Sequence, residues 1–255
     1  MHRHLAFVDL TEREVARCVR LAHAVPHDSP LDHLPGWDAG ELLAHLVGDF
    51  RWATRILTSR SFDGSILLPA EEKGEVLSAA LEREGERMVA ALAAAAREPD
   101  VRCTNFAEGD RGTVGWWVRH QLHETTLHRW DLEVPTGQHQ PIPPEQADDG
   151  IDELLHTYTR RYAPHRLAAP LQLHTSDEGS TWRVRPVGSR GQLELERLGA
   201  TGNADEAVLA APAADLLLLL WRRLEPGAID SLHIAESADL PADAVVAFLD
   251  GPITA

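Results

Sequence analysis

The residues best suited to chemistry in this sequence lie in one stretch, residues 119–133 (RHQLHETTLHRWDLE), which contains His120, Glu124 and His128. Positions four apart on an α-helix differ in direction by only about 40°, so these three side chains share one helical face. Trp116, Trp117, Leu127 and Asp131 fall on that face too, and Arg119, Thr125, Thr126 and Arg129 fall mostly on the other. Imidazoles and a carboxylate on an aromatic, inward-looking face are expensive to bury without compensation. A divalent metal is the leading compensation, because imidazole nitrogen and carboxylate oxygen both ligate it.

HETTLH is close to the HExxH motif of zinc peptidases but fails on phase. His123 and His128 are five positions apart, so their rings diverge by about 140° on a helix. Glu124 with His128, at i and i+4, is the better pair, to be completed by one ligand from another helix. His45 is the strongest outside candidate. With Asp49 it lines one flank of the apolar stripe Leu42, Leu43, Leu46, Val47, Phe50 and Leu57. His120 is the rival third ligand, but it would spread one ion's ligands over more than two turns of a single helix. It suits a pocket wall or a hydrogen-bonded core position better. Asp49 and Asp131 either orient ligand imidazoles from behind or serve as ion-pair partners between helices. The competing reading of the whole cluster is a buried polar group in which Glu124 pairs with protonated histidines. Arg222 and Arg223 end a leucine-rich helix, where positive charge suits the helix dipole. No P-loop, GxGxxG or GxSxG motif is present, so phosphate-cradling and serine-nucleophile chemistry have no local support.

Several elements must position these residues. Residues 10–25 read as an amphipathic helix with Val15, Val19 and Ala22 on one stripe. A second helix opens with a capping box of Asp38 and Glu41, flanked by Trp37 and Leu42 at the positions of a hydrophobic staple. Pro69 opens a long helical pattern that continues to about Arg97 and is closed by Pro99. Thr113 is the N-cap of a fourth helix that runs to Val134 and is ended by Pro135 and Gly137. Four such helices with ordinary loops predict a helical bundle. A fifth, over residues 144–162, reads as a connector. After Ala163 the pattern changes: LQLHTS, TWRVRP and QLELERL are short and β-prone, separated by the turns DEGS and GSRG. EAVLAA adds a strand before the helix AADLLLLLWRRL, SLHIAE is a last strand and PADAVVAFL a last helix. The fold class is an all-α bundle followed by a smaller α+β domain, with domains 1–164 and 165–255.

Composition narrows the partners. Against 24 Lys and Arg stand 40 Asp and Glu, a net charge of −16. Such a surface argues against nucleic acid and anionic membranes, both of which need a basic footprint. Cys18 and Cys103 form no CxxC motif and no disulfide framework. The opening residues lack the apolar core of a signal peptide, and the longest apolar run, residues 216–221, is far too short to span a bilayer. The expectation is a cytoplasmic protein.

Taken together, these pieces resemble the mycothiol-dependent maleylpyruvate isomerase family of the DinB-like metalloenzyme superfamily. LPGWDAGELLAHLVGDFRW resembles the family's GW-x(n)-LLAHL segment, and HETTLHRWDLE resembles its E-x3-H-R-x-D segment. LQLHTSDEGSTWRV and NADEAVLAAPAADLLLLLWRR resemble its C-terminal module, although AAPAADLL lacks the glycine expected before the leucine-rich helix. The resemblance implies a DinB-like four-helix bundle with a metal, most often zinc, between its second and fourth helices. His45, Glu124 and His128 would hold it, with a coordination position left open. It also implies mycothiol as thiol cosubstrate, deprotonated on the metal at neutral pH. The thiolate would either add reversibly to a conjugated double bond, as in a cis-trans isomerase, or attack an electrophile and stay attached, as in an S-transferase. A small electrophile or unsaturated acid is the implied substrate. The alternatives on the same scaffold are a hydrolase using metal-bound water and a non-catalytic binding protein.

Overall fold

The computed structural model of the chain describes residues 2–60, 76–108, 111–159, 167–187, 192–199 and 205–249. They form two compact units, Met1–Gln140 and Pro141–Ala255. Pro69, the GSRG turn and the boundary expected near residue 165 lie outside the described residues.

The first unit contains α1 (His2–Ala24), α2 (Ala39–Ser59), α3 (Leu77–Ala95) and α4 (Val114–Glu133). α1 begins well before Leu10 because Phe7 and Val8 are buried along with Val15 and extend its apolar stripe towards the N-terminus. α1 packs against α4 and α3, and α2 against α3, around Leu42, Leu46, Phe50, Met88, Leu92 and Leu122. α1 and α3 come close at Gly85, where a Cβ would stand 2.5 Å from Val15 Cγ1. α2 and α4 meet along a sparser seam, and that seam carries polar side chains.

α4 is buried at 17 of its 20 positions. Its second face, which helical phase sets apart from the histidine face, is also interior. The polar groups there tolerate burial because each is paired. Thr125 and Thr126 donate to the carbonyls of Gln121 and Leu122, both at 2.7 Å. Arg129, only 1% exposed, donates to Glu14 at 2.7 Å, Glu133 at 2.6 Å and the Gln140 carbonyl at 2.8 Å. Arg17 also reaches Glu133, so a buried ion cluster joins α1 to α4.

The second unit contains α5 (Pro144–Leu154), continued by a π-turn over Leu155–Thr159, then β1 (Leu171–Thr175), β2 (Thr181–Val187), β3 (Gln192–Leu198), β4 (Ala207–Ala211), α6 (Ala213–Leu220), β5 (His233–Ala235) and α7 (Ala242–Leu249). The sheet order is β3-β2-β1-β4-β5. β1 and β4 are parallel, and the other neighbours are antiparallel. The helix that reads as a connector in the sequence is bonded to this sheet. Asp148 accepts from Thr175, Ser180 and Arg197, each at 3.0 Å, and Asp152 accepts from the buried Trp182 indole at 2.9 Å. α6, whose residues after Asp215 are all leucine, packs against α5. Among the described residues no helix is long and apolar enough to cross a membrane.

Candidate metal centre

Local sequence fixes both helices that carry the site. The α2 capping box forms as its residues dictate, with Glu41 N donating to Asp38 Oδ1 at 2.8 Å and Asp38 N to Glu41 Oε2 at 2.9 Å. Thr113 caps α4 by accepting from Trp116 N at 3.4 Å. Across the α2–α4 seam, His45, Glu124 and His128 converge, each offering a ligand atom within 4.8 Å of the others. Among the described residues no other group of His, Cys, Asp and Glu does so.

Glu124 Oε1 lies 3.1 Å from His128 Nε2 and 3.7 Å from His45 Nε2. A tetrahedral ion with bonds near 2.0–2.1 Å sets neighbouring donor atoms about 3.3 Å apart. The two observed separations straddle that spacing, and two imidazoles with one carboxylate are a donor set that zinc takes in sites with an open position. The site has an accessible side: the side chain of His45 is 36% exposed, against 18% for Glu124 and 10% for His128.

Behind the donors stand further partners. His128 Nδ1 donates to Asp131 Oδ2 at 2.9 Å, which directs Nε2 towards Glu124 and His45. The other oxygen of Asp131 accepts from His33 Nε2 at 2.8 Å. Trp37 meets the His45 ring edge-on at 5.3 Å, and the His45 and His128 rings are 5.0 Å apart. Trp37, expected as half of a hydrophobic staple, thus stands against the His45 imidazole.

The electrostatics are those of a tight ionic cluster. Burial pushes the Glu124 carboxyl up, but hydrogen bonds to His128 and His45 outweigh it and hold the group well below the usual carboxylate range. Burial pushes His128 down, but its bonds to Asp131 and Glu124 outweigh that and raise it to about 9. In the metal-free protein His128 is therefore an imidazolium between two carboxylates, and a metal would take the place of its Nε2 proton.

The remaining sequence candidates divide. Asp131 stands directly behind His128. Asp49 is buried one turn beyond His45, its carboxyl raised to about 6 by burial and by the charge of Glu124. Its Oδ1 is 3.5 Å from Gln121 Nε2, while Asp49 Oδ2 and Gln121 Oε1 have no hydrogen-bond partner among the described residues. His120 is outside the converging group. It stacks on Trp116 at 4.6 Å and meets Phe106 edge-on at 5.2 Å, so it is part of an aromatic packing cluster. His123 is buried on the opposite side of α4, where it meets Phe7 of α1. His33 has no signal in the sequence, because it is a loop residue without helical phase to connect it to α4. A cavity of 630 Å³ between α1 and α3, lined by Val15, Ala16 and Val89 with Glu12, Glu82 and Glu86, shares no residue with the donor set.

Residues 8–133 match the family model described as mycothiol maleylpyruvate isomerase N-terminal domain. Among solved structures, a mycothiol-dependent maleylpyruvate isomerase aligns over 93% of this chain and 96% of its own, at 17% identity and a TM-score of 0.56. A histidine-to-alanine mutant of that isomerase aligns over the same shares at 17% identity and a TM-score of 0.57. At this identity the likeness is one of fold. Among curated protein sequences none matches.

Proposed function

Because residues 8–133 belong to the mycothiol maleylpyruvate isomerase N-terminal domain family, we propose that this chain is a cytoplasmic, mycothiol-dependent enzyme of the isomerase or S-transferase class. Its substrate would be a small electrophile or unsaturated acid, and its metal a divalent ion, zinc first, held by His45, Glu124 and His128. The observation that carries this reading is the convergence of three donor atoms within 4.8 Å from two helices far apart in sequence.

When bound, such an ion would keep a coordinated thiol deprotonated at neutral pH, a state that free thiols with a pKa near 8.5 mostly do not reach. The chain's own residues have separable tasks. Glu124 supplies the anionic donor, and its depressed pKa keeps it ionised across the neutral range. Asp131 occupies His128 Nδ1 and leaves Nε2 for the ion. His45, the most exposed of the three, puts the donor set at an edge that a thiol and a small substrate can approach.

Metal analysis of the purified protein and its His45→Ala variant tests the proposal, together with assays of maleylpyruvate isomerisation with and without mycothiol. The expected result is about one divalent ion per chain, lost with activity in His45→Ala, and turnover only with mycothiol. Full metal occupancy in His45→Ala would reject the ligand set. Isomerisation without thiol would reject the thiol-dependent reading.

A further inference from the structure

We infer that His33, from the loop between α1 and α2, is a positioning residue for the candidate metal centre, acting on His128 through Asp131. This role rests on the metal-binding reading above and adds a residue that neither helical phase nor the ligand motif identifies.

Asp131 is 0% exposed, and its two oxygens are taken by two imidazoles. Oδ2 accepts from His128 at 2.9 Å and Oδ1 from His33 at 2.8 Å. A carboxylate that accepts at one oxygen alone can swing about its Cβ–Cγ bond. One held at both ends fixes the direction from which it grips the ligand histidine, and hence where His128 Nε2 points. Nitrogen must be the donor in both bonds, because an ionised carboxylate only accepts.

The loop is built to deliver this ring. Leu31 N donates to the Trp37 carbonyl at 3.1 Å and Leu34 N to the Leu31 carbonyl at 2.7 Å, closing a turn over His33. A second turn follows, with Trp37 N donating to the Leu34 carbonyl at 3.0 Å, and Gly36, at φ +85°, supplies the left-handed residue it needs. Leu31 anchors the loop in the core at 1% exposure. The His33 ring then meets Trp130 edge-on at 5.4 Å, and Trp130 stacks in turn on His139 at 4.6 Å. The same loop brings Trp37 against His45. One short segment outside the two ligand-bearing helices therefore backs both ligand imidazoles, one through a hydrogen bond and the other through a ring edge.

Two substitutions separate hydrogen bonding from packing. His33→Phe keeps a ring against Trp130 and removes the donor; His33→Gln keeps an N–H at similar reach and removes the ring. Zn²⁺ and Co²⁺ affinities would be measured by chelator competition, with the visible absorption of bound Co²⁺ as a report on ligand geometry. Loss of a hydrogen-bonded partner behind a ligand costs about 10- to 100-fold in metal affinity. His33 stands one bond further back, behind Asp131, so His33→Phe is expected to lose about 10-fold, the lower end of that range, and shift the Co²⁺ spectrum, whereas His33→Gln retains most of the affinity and the parent spectrum. If the order is reversed, with Gln impaired and Phe unaffected, His33 only packs and the inference is overturned. Equal affinities and spectra in all three proteins overturn it as well. A parent protein that takes up neither ion overturns the proposed function itself and this role with it, so the two failures are distinguishable.

Discussion

Metal uptake is expected to depend steeply on pH, with His128 setting the slope. In the metal-free protein its ring lies 2.9 Å from Asp131 Oδ2 and 3.1 Å from Glu124 Oε1. Burial disfavours the imidazolium, but these two bonds outweigh it and raise the group to about 9. A metal needs the Nε2 lone pair, so below that pH one proton must leave for each ion bound. Each pH unit below 9 then weakens apparent affinity about tenfold, or about 1.4 kcal/mol. Between pH 9 and pH 7 the loss is about a hundredfold, or about 2.7 kcal/mol. Glu124, held well below the usual range, stays ionised throughout and adds no slope there. Chelator competition with Zn²⁺ from about pH 7 to about pH 9.5, corrected for proton binding by the chelator, reads the effect directly. A flat apparent affinity across that window would refute the reasoning. The same shift acts on folding with the opposite trend. His128 is raised above its unfolded value of 6.5, so its stabilisation of the metal-free protein is complete below about 6.5 and fades as pH rises to about 9. Urea unfolding of metal-free protein across that range checks this arm.

Two further predictions concern the bundle that holds the site. Gly85→Ala gains about 1 kcal/mol of helix propensity, but its Cβ would lie 2.5 Å from Cγ1 of Val15, a stiff β-branched side chain. The expected net is a loss of about 1 kcal/mol or more by urea unfolding, recovered when Val15→Ala is added. Arg129→Met leaves Glu133, which is 0% exposed, with Arg17 as its remaining guanidinium partner and removes the partner of Glu14. The expected cost is about 3–5 kcal/mol, with a smaller loss when Glu133→Leu accompanies it; equal losses in the single and double variants would show that the charge pair is not the source.

The legible parts of this protein are those written in short-range spacing. Glu124 and His128 are one helical turn apart, so their shared face follows from the sequence alone. The capping box of Asp38 and Glu41 and the cap at Thr113 fix where α2 and α4 begin, and with them the phase of His45 and Glu124. Less legible is whatever depends on a partner far along the chain. Arg129 reads as an outward charge because Glu14, its ion-pair partner, is 115 positions away. α5 reads as a connector because the strands that Asp148 and Asp152 bind come later in the chain. His33 carries no periodic signal, since a loop residue reaches Asp131 by the path of the chain and not by repeat. Strand order is equally hidden: β4 lies beside β1, not β3, and nothing in the β-prone segments specifies that insertion.

The burial of α4 also bears on how this sequence can change. Most helices have a solvent side on which substitutions accumulate at little cost. α4 has only three positions that are not buried, Trp116, Arg119 and Glu124, and one of these is a proposed ligand. Its polar residues are matched to particular partners on α1, α2 and the loop before α2, so a change at one position requires a second change elsewhere. Variation along α4 should come as coordinated pairs, while exposed stretches of α1 and α3 drift singly.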